Sequence, residues 1–124
     1  MGTTQFRVLV AGLCFILVFI SGFWLSRSGK PYSAILLNAH KLIGLAVLVY
    51  LAVAVYQVNR ATPLGAMEWV AGVVAGLLFL STIVSGGLVS IDKAMPAAIS
   101  IMHKVLPYLT VLSSAVTLYL LSRK

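Results

Sequence analysis

The chain contains four long apolar segments, each long enough to cross a lipid bilayer as a helix. They cover residues 8–26, 34–58, 67–91 and 97–122. A transmembrane helix needs about 20 mostly apolar residues, and inside lipid only a helix or a closed barrel satisfies its own backbone hydrogen bonds. Only 9% of the residues are charged, whereas about a quarter are charged in a typical soluble domain. The sequence therefore predicts an all-α integral membrane protein.

Three short connections join these segments, at residues 27–32, 59–65 and 92–96. Each contains proline and the first two contain glycine, residues that interrupt helices. Short connections make consecutive helices antiparallel neighbours. We therefore expect a four-transmembrane-helix up-down bundle that forms a single membrane domain over residues 1–124.

The second half of the chain repeats the first. A shift of 63 residues places His40 on His103, and these are the two histidines of the chain. A shift of 64 residues matches a set of small and polar residues, namely Gly12, Ser21 and Gly22 with Gly76, Ser85 and Gly86. We therefore predict two parallel two-helix repeats, over about residues 7–60 and 67–124, related by a pseudo-two-fold axis along the membrane normal.

This repeat places the two histidines at equal depth on opposite sides of the bundle. Each lies about six residues inside the second or fourth helix, which is roughly 9 Å below the interface. Because those helices are diagonal, the imidazoles of His40 and His103 should face each other across the centre. A porphyrin iron needs two axial ligands from the protein, whereas a zinc site usually needs more. The sequence therefore predicts that His40 and His103 ligate the iron of one haem b.

Small residues near the histidines are expected to make room for the macrocycle. Gly22 and Gly86 lie near the ends of the first and third helices, where glycine would let a porphyrin edge approach the backbone. Gly44 and Pro107 each lie one turn after a histidine, on the same face of its helix, and neither has a bulky side chain. We therefore count these four residues among the predicted haem-binding residues.

Two lysines accompany the histidines. Lys41 and Lys104 directly follow them, so their side chains are rotated by about 100° from the imidazoles. Their long stems can extend to the membrane interface. There they either pair with haem propionates or anchor the helices among lipid headgroups, and the sequence leaves both roles open.

His40, His103, Gly22 and Gly86 together resemble the pattern of the cytochrome b561-like and related small four-helix membrane b-type cytochromes. The resemblance implies haem b held between histidines on helices of a four-helix bundle, with glycines facing the porphyrin. Many members of that group have two histidine pairs, whereas this chain has one, which implies a single haem. It further implies electron exchange with quinone or quinol or with a redox partner protein, either by the chain alone or as an oxidoreductase subunit.

Other functions remain open at the level of sequence. The histidine pair could be purely structural, or it could ligate one (bacterio)chlorophyll each. The chain could also be a haem-free structural subunit of a larger complex or a small transporter, although its glutamate, Glu68, lies at a segment end. The nine basic residues form no run or stripe, which argues against binding nucleic acid.

Location and assembly follow from the same features. We expect an integral protein of a bacterial or archaeal cell membrane, surrounded by lipid. Both termini are predicted to be cytoplasmic, because basic residues are slightly more numerous on that side than at the histidine end. The pair Gly72 and Gly76 forms a GxxxG pattern, which is typical of close helix packing, so a homo-oligomer or a place in a larger complex is expected as well.

Overall fold

The computed structural model of the chain describes residues 2–91 and 96–124, and within them the chain forms four α-helices. They are α1 (Thr3–Ser28), α2 (Ala34–Ala61), α3 (Ala66–Ser90) and α4 (Ala97–Ser122). The all-helical bundle predicted from the apolar segments is confirmed. Residues 92–95 of the third connection, with Asp92 and Lys93, lie outside the described residues.

Helix α1 begins five residues before its predicted start, at Thr3 rather than residue 8. The side chain of Gln5 accepts a hydrogen bond from the backbone N–H of Gly2 at 2.9 Å, which caps the first turn. Arg7 is accommodated inside the helix because its guanidinium donates to the side-chain oxygen of Gln57 at 3.3 Å. The apolar segment thus marks where lipid covers the helix, and polar caps extend the helix beyond it.

Consecutive helices pack side by side and run antiparallel. Arg7 near the start of α1 contacts Gln57 near the end of α2. Glu68 near the start of α3 forms an ion pair with Lys124, just after α4, at 3.3 Å. Packing is far more extensive within these pairs than between them. The molecule therefore consists of a first hairpin (α1 and α2) and a second hairpin (α3 and α4).

The two hairpins meet through a few side chains. The rings of Phe15 on α1 and Phe79 on α3 stack with centroids 5.9 Å apart. Phe19 on α1 lies against Tyr108 on α4, with centroids 5.4 Å apart. Helices α2 and α4 also approach each other directly, so the hairpins pack with the histidine-bearing helices near the centre.

Each of the helices in the described part of the chain is long and apolar enough to cross a membrane, with mean hydropathy between 1.6 and 2.6. Large apolar side chains such as Phe23, Trp24 and Leu42 face outward and are about two-thirds exposed. Lipid would cover such a surface favourably, as in an integral membrane protein.

The buried apolar core lies away from the histidines. One cluster is centred on Val47 and Phe79, and a second contains Ala54, Val58 and Leu121. Next to the histidines, by contrast, the buried residues include Ser21 and Ser85, and Thr110 lies one layer deeper. The bundle is therefore held together by apolar packing in one half and has a polar interior around the histidines.

Candidate functional site

The structure brings the two histidine rings together across the boundary between the hairpins. His40 lies on α2 and His103 on α4, and both are partly buried. Their ring centroids are 6.4 Å apart, and the ring planes are nearly perpendicular, at 83°. One imidazole is thus contributed by each hairpin, and the two meet near the end of the bundle formed by the start of α2 and the end of α3.

In each hairpin, a serine on one helix contacts the Nδ1 atom of the histidine on the other helix. The hydroxyl of Ser21 on α1 is 2.8 Å from Nδ1 of His40. The hydroxyl of Ser85 on α3 is 3.1 Å from Nδ1 of His103. The backbone carbonyl of Thr82 also lies 3.0 Å from Nδ1 of His103, where it shares the single Nδ1–H with Ser85. Nδ1 of both rings is therefore engaged by the protein.

The opposite ring nitrogen, Nε2, is left available. Among residues 2–91 and 96–124, the hydrogen bonds of His40 and His103 all involve Nδ1. Histidines that ligate metals commonly use one ring nitrogen for the metal and donate the other N–H to a carbonyl or another acceptor. The observed arrangement has that form in both hairpins.

Gly22 and Gly86 lie directly against the imidazoles. A Cβ atom at Gly22 would be 3.0 Å from Cε1 of His40, and one at Gly86 would be only 2.6 Å from Cε1 of His103. Both glycines thus allow a ring to lie on the backbone of the neighbouring helix. Clearance for a porphyrin edge, the role expected from the sequence, stays a prediction for these two positions.

Gly44 and Pro107 lie on the histidine-bearing helices, one turn beyond each ring. In the described part of the chain, a Cβ atom at Gly44 would meet no other atom within 4 Å. Space is therefore present beside α2 at this level. Pro107 lies inside α4, which continues on both sides of it, and it is partly buried.

The basic residues expected near the site lie at the rim of the bundle. The ammonium group of Lys41 donates to the hydroxyl of Ser90 at 3.1 Å, which links α2 to α3. Lys30 donates to the carbonyl of Ile91 at 2.8 Å, again across the hairpin boundary. Lys104 is exposed. The position of Lys41 and Lys104 at the membrane interface and their pairing with propionates both stay predictions.

The spacing of the two rings matches that of two imidazoles on one metal ion. A metal–imidazole bond is about 2 Å long and the nitrogen lies about 1 Å from the ring centroid, so two such rings have centroids about 6 Å apart. The observed separation is 6.4 Å. Within residues 2–91 and 96–124 there is no cluster of three or more His, Cys, Asp or Glu side chains.

Ser21, Ser85 and Thr82 are functional candidates that the sequence interpretation did not place in the site. The two serines are matched by the same shift of 64 residues that matches Gly22 with Gly86, so the signal was present. Their role depends on how each hairpin's helices are rotated against each other, which the repeat alone does not give.

Comparison of the chain with protein-family models, with curated proteins and with solved structures found no match.

Proposed function

We propose that the protein is a membrane b-type cytochrome that holds one haem b between His40 and His103 and transfers electrons. The observation that carries this proposal is the pair of imidazoles 6.4 Å apart, with Nδ1 of each engaged by a serine. The ring spacing fits one iron, and the engaged Nδ1 atoms leave Nε2 as the ligand atom of each ring.

The residues around the rings are compatible with a macrocycle. Gly44 leaves open space beside α2 one turn from His40, and the helices pack less extensively between the hairpins than within them. Lys41 and Lys104 at the rim could neutralise propionates, which would otherwise face the headgroup region as uncompensated charges. The glycines Gly22 and Gly86 allow both imidazoles to lie against the backbone of the neighbouring helix.

Bound haem would supply a one-electron redox couple inside the membrane. Two histidine ligands leave no free coordination position for a small molecule, which favours electron transfer over oxygen chemistry. A quinol or a redox partner protein would exchange electrons at the end of the bundle where the histidines lie. The protein would act there alone, as a homo-oligomer, or as a subunit of a larger oxidoreductase.

The predicted repeat fits this function. Each hairpin provides the same four elements: a histidine, a serine on its Nδ1, a glycine under its ring and a neighbouring lysine. A site assembled from two such halves on a pseudo-two-fold axis suits a planar ligand with equivalent faces. The equivalent contacts of Ser21 and Ser85 and of Gly22 and Gly86 support this organisation.

The ring spacing argues against a pair of chlorophylls. Two macrocycles, each with its own histidine, would place a stacking distance of about 3.5 Å between the two metals and so hold the rings that much farther apart. The observed 6.4 Å accommodates one metal. The ion pair of Glu68 with Lys124 at the far end of the bundle likewise argues against a transporter that depends on an embedded glutamate.

The visible absorption spectrum of the purified protein tests the proposal. We expect sharp haem b bands after reduction with dithionite, and we expect them to be lost or displaced in both His40→Ala and His103→Ala. Leu42→Ala and Met102→Ala are matched controls, because both side chains lie close to the histidines in sequence and face outward. These controls should retain the wild-type spectrum.

Three outcomes would contradict the proposal. The first is a folded but colourless protein from cells supplied with haem. The second is a haem spectrum that persists unchanged in either histidine variant. The third is absorption at long red wavelengths, which would indicate chlorins.

A further inference from the structure

The two serines behind the imidazoles make hydrogen bonds that determine where the protons of the site lie. Ser21 donates its hydroxyl hydrogen to the backbone carbonyl of Val18 at 3.0 Å. A serine hydroxyl has one hydrogen and two lone pairs, so while that hydrogen is on the Val18 carbonyl the oxygen accepts from the ring of His40, 2.8 Å away. In that arrangement the proton of the neutral His40 imidazole is on Nδ1.

In the second hairpin, both the Ser85 hydroxyl and the Thr82 carbonyl lie next to Nδ1 of His103. Ser85 donates its hydroxyl hydrogen to the carbonyl of Thr82 at 3.0 Å, so its oxygen also accepts from His103. The Thr82 carbonyl, which can only accept, lies 3.0 Å from Nδ1 of the same ring. The proton of His103 is therefore on Nδ1 as well.

We infer that Ser21 and Ser85 are positioning residues, which keep both imidazoles in the Nδ1–H tautomer with the Nε2 lone pair free and fix the angle between the rings. The tautomer assignment depends only on the hydrogen bonds of the protein. Its consequence for a bound iron rests on the proposed function, because an acceptor on Nδ1–H raises the basicity of the ligand nitrogen.

An ordinary structural role for these serines accounts for only part of what they do. Serines in membrane helices often donate to a carbonyl one turn earlier. Ser81 does so with the carbonyl of Leu77 at 2.9 Å, and its hydroxyl is on the exposed side of α3. What distinguishes Ser21 and Ser85 is the second contact to a ring nitrogen, together with nearly complete burial, at 8% and 4% exposure. Ser81 is therefore the matched control.

The first test uses nitrogen-15 NMR of histidine-labelled protein in detergent micelles, without haem. We expect both rings to show a protonated Nδ1 and an unprotonated Nε2. In Ser21→Ala we expect His40 to shift towards the Nε2–H form, which is the form that imidazole prefers when Nδ1 has no acceptor. In Ser85→Ala we expect a shift of His103 in the same direction, limited by the Thr82 carbonyl, which remains 3.0 Å from Nδ1. Ser81→Ala should match the wild type.

A second test uses the haem-loaded protein. Loss of a hydrogen-bonding partner of a metal-ligating histidine typically weakens binding by about 10- to 100-fold, so we expect haem affinity to fall by that factor in Ser21→Ala. The reduction potential should rise, since a less basic ligand stabilises the oxidised iron less. The ferric electron paramagnetic resonance signal should also change, because it depends on the angle between the ring planes.

The two tests separate this inference from the proposed function. If both rings are in the Nε2–H form in the wild type, or if Ser21→Ala leaves His40 unchanged, the inference is wrong whether or not haem binds. The inference is also wrong if haem binds and Ser21→Ala has the same reduction potential and the same ferric electron paramagnetic resonance signal as Ser81→Ala. A wild type that shows the Nδ1–H tautomer but binds no haem would instead refute the proposed function and leave the tautomer assignment standing.

Discussion

At the level of single residues, the absence of a side chain at Gly86 is what allows His103 to reach its position. The ring lies on the backbone of α3, and a Cβ atom there would be 2.6 Å from Cε1, which is closer than atoms can pack. Gly22 plays the same part for His40 with slightly more room, at 3.0 Å. Gly87, the next residue along α3, has open space around its Cα in the described structure.

We therefore predict that Gly86→Ala displaces the His103 ring, whereas Gly87→Ala does not. Overpacking of this kind costs about 1–3 kcal/mol, while alanine in place of an uncrowded helical glycine is neutral or stabilising by up to about 1 kcal/mol. The free energy of unfolding in detergent and the haem retained per chain should both decrease in the order wild type, Gly22→Ala, Gly86→Ala. Equal behaviour of Gly86→Ala and Gly87→Ala would contradict the observed packing.

The sequence predicted the approach of the two histidine rings but not the contacts around them. The matched positions of His40 and His103 correctly indicated that the rings approach each other. The glycines were expected to face a porphyrin, but in the structure each lies under an imidazole. The contacts of Ser21 and Ser85 were not anticipated, because a hydrogen bond depends on the rotation of one helix against its neighbour and hydropathy does not determine that rotation.

At the level of helices, the two hairpins differ in what joins their members. In the second hairpin the hydroxyls of Thr82 and Thr110 are 3.1 Å apart, so either one can donate to the other and link α3 to α4 one layer below His103. The residues matched to them by the repeat are Val18 and Val47, whose side chains can make only apolar contacts. The second hairpin therefore has an additional polar link directly beneath its histidine.

We predict that Thr82→Val lowers the free energy of unfolding by about 1 kcal/mol, which is the usual size of a hydrogen bond between membrane helices. The substitution preserves shape and removes the hydroxyl, while the Thr82 carbonyl remains as an acceptor for His103. Denaturant titration in micelles measures the effect, and Ser81→Ala provides the control on the exposed face. A stability of Thr82→Val equal to that of the control would mean that the link between α3 and α4 does not contribute.

Helix boundaries show where sequence interpretation reaches its limit at this scale. The start and end predicted for α4 agree with the structure, and those of α3 differ by one residue. The start of α1 is displaced because Gln5 caps it and Arg7 is paired with Gln57. Hydropathy identifies the part of a helix that lipid covers, whereas the ends are determined by polar groups that satisfy the backbone.

At the level of the whole molecule, basic residues are slightly more numerous at the end opposite the site. Glu68 is paired with Lys124 at the end opposite the histidines. By sequence that end also carries Arg7, Arg60 and Arg123, while Arg27, Lys30 and Lys93 belong to the histidine end, with Lys41 and Lys104 set aside as possible propionate partners. Basic residues favour the cytoplasmic side of a membrane, so we propose that the site lies near the outer face.

We predict that both termini are cytoplasmic. A fluorescent reporter that matures only in the cytoplasm should be active when fused after Lys124 or before residue 1. A reporter active only outside the cytoplasm should be inactive at both positions. As a control, the second reporter inserted after Gly29, in the connection between α1 and α2, should be active. The reversed pattern would place the site at the cytoplasmic face.

The stoichiometry of haem in the purified protein tests the central claim most directly. Haem extracted as its pyridine complex and protein quantified by amino-acid analysis give the number of haems per chain. We predict one haem b per chain in the wild type, and strongly reduced occupancy in His40→Ala and in His103→Ala. A ratio near zero in protein produced with ample haem, a ratio of two, or a ratio unaffected by removing either histidine would contradict a single site formed by these two rings.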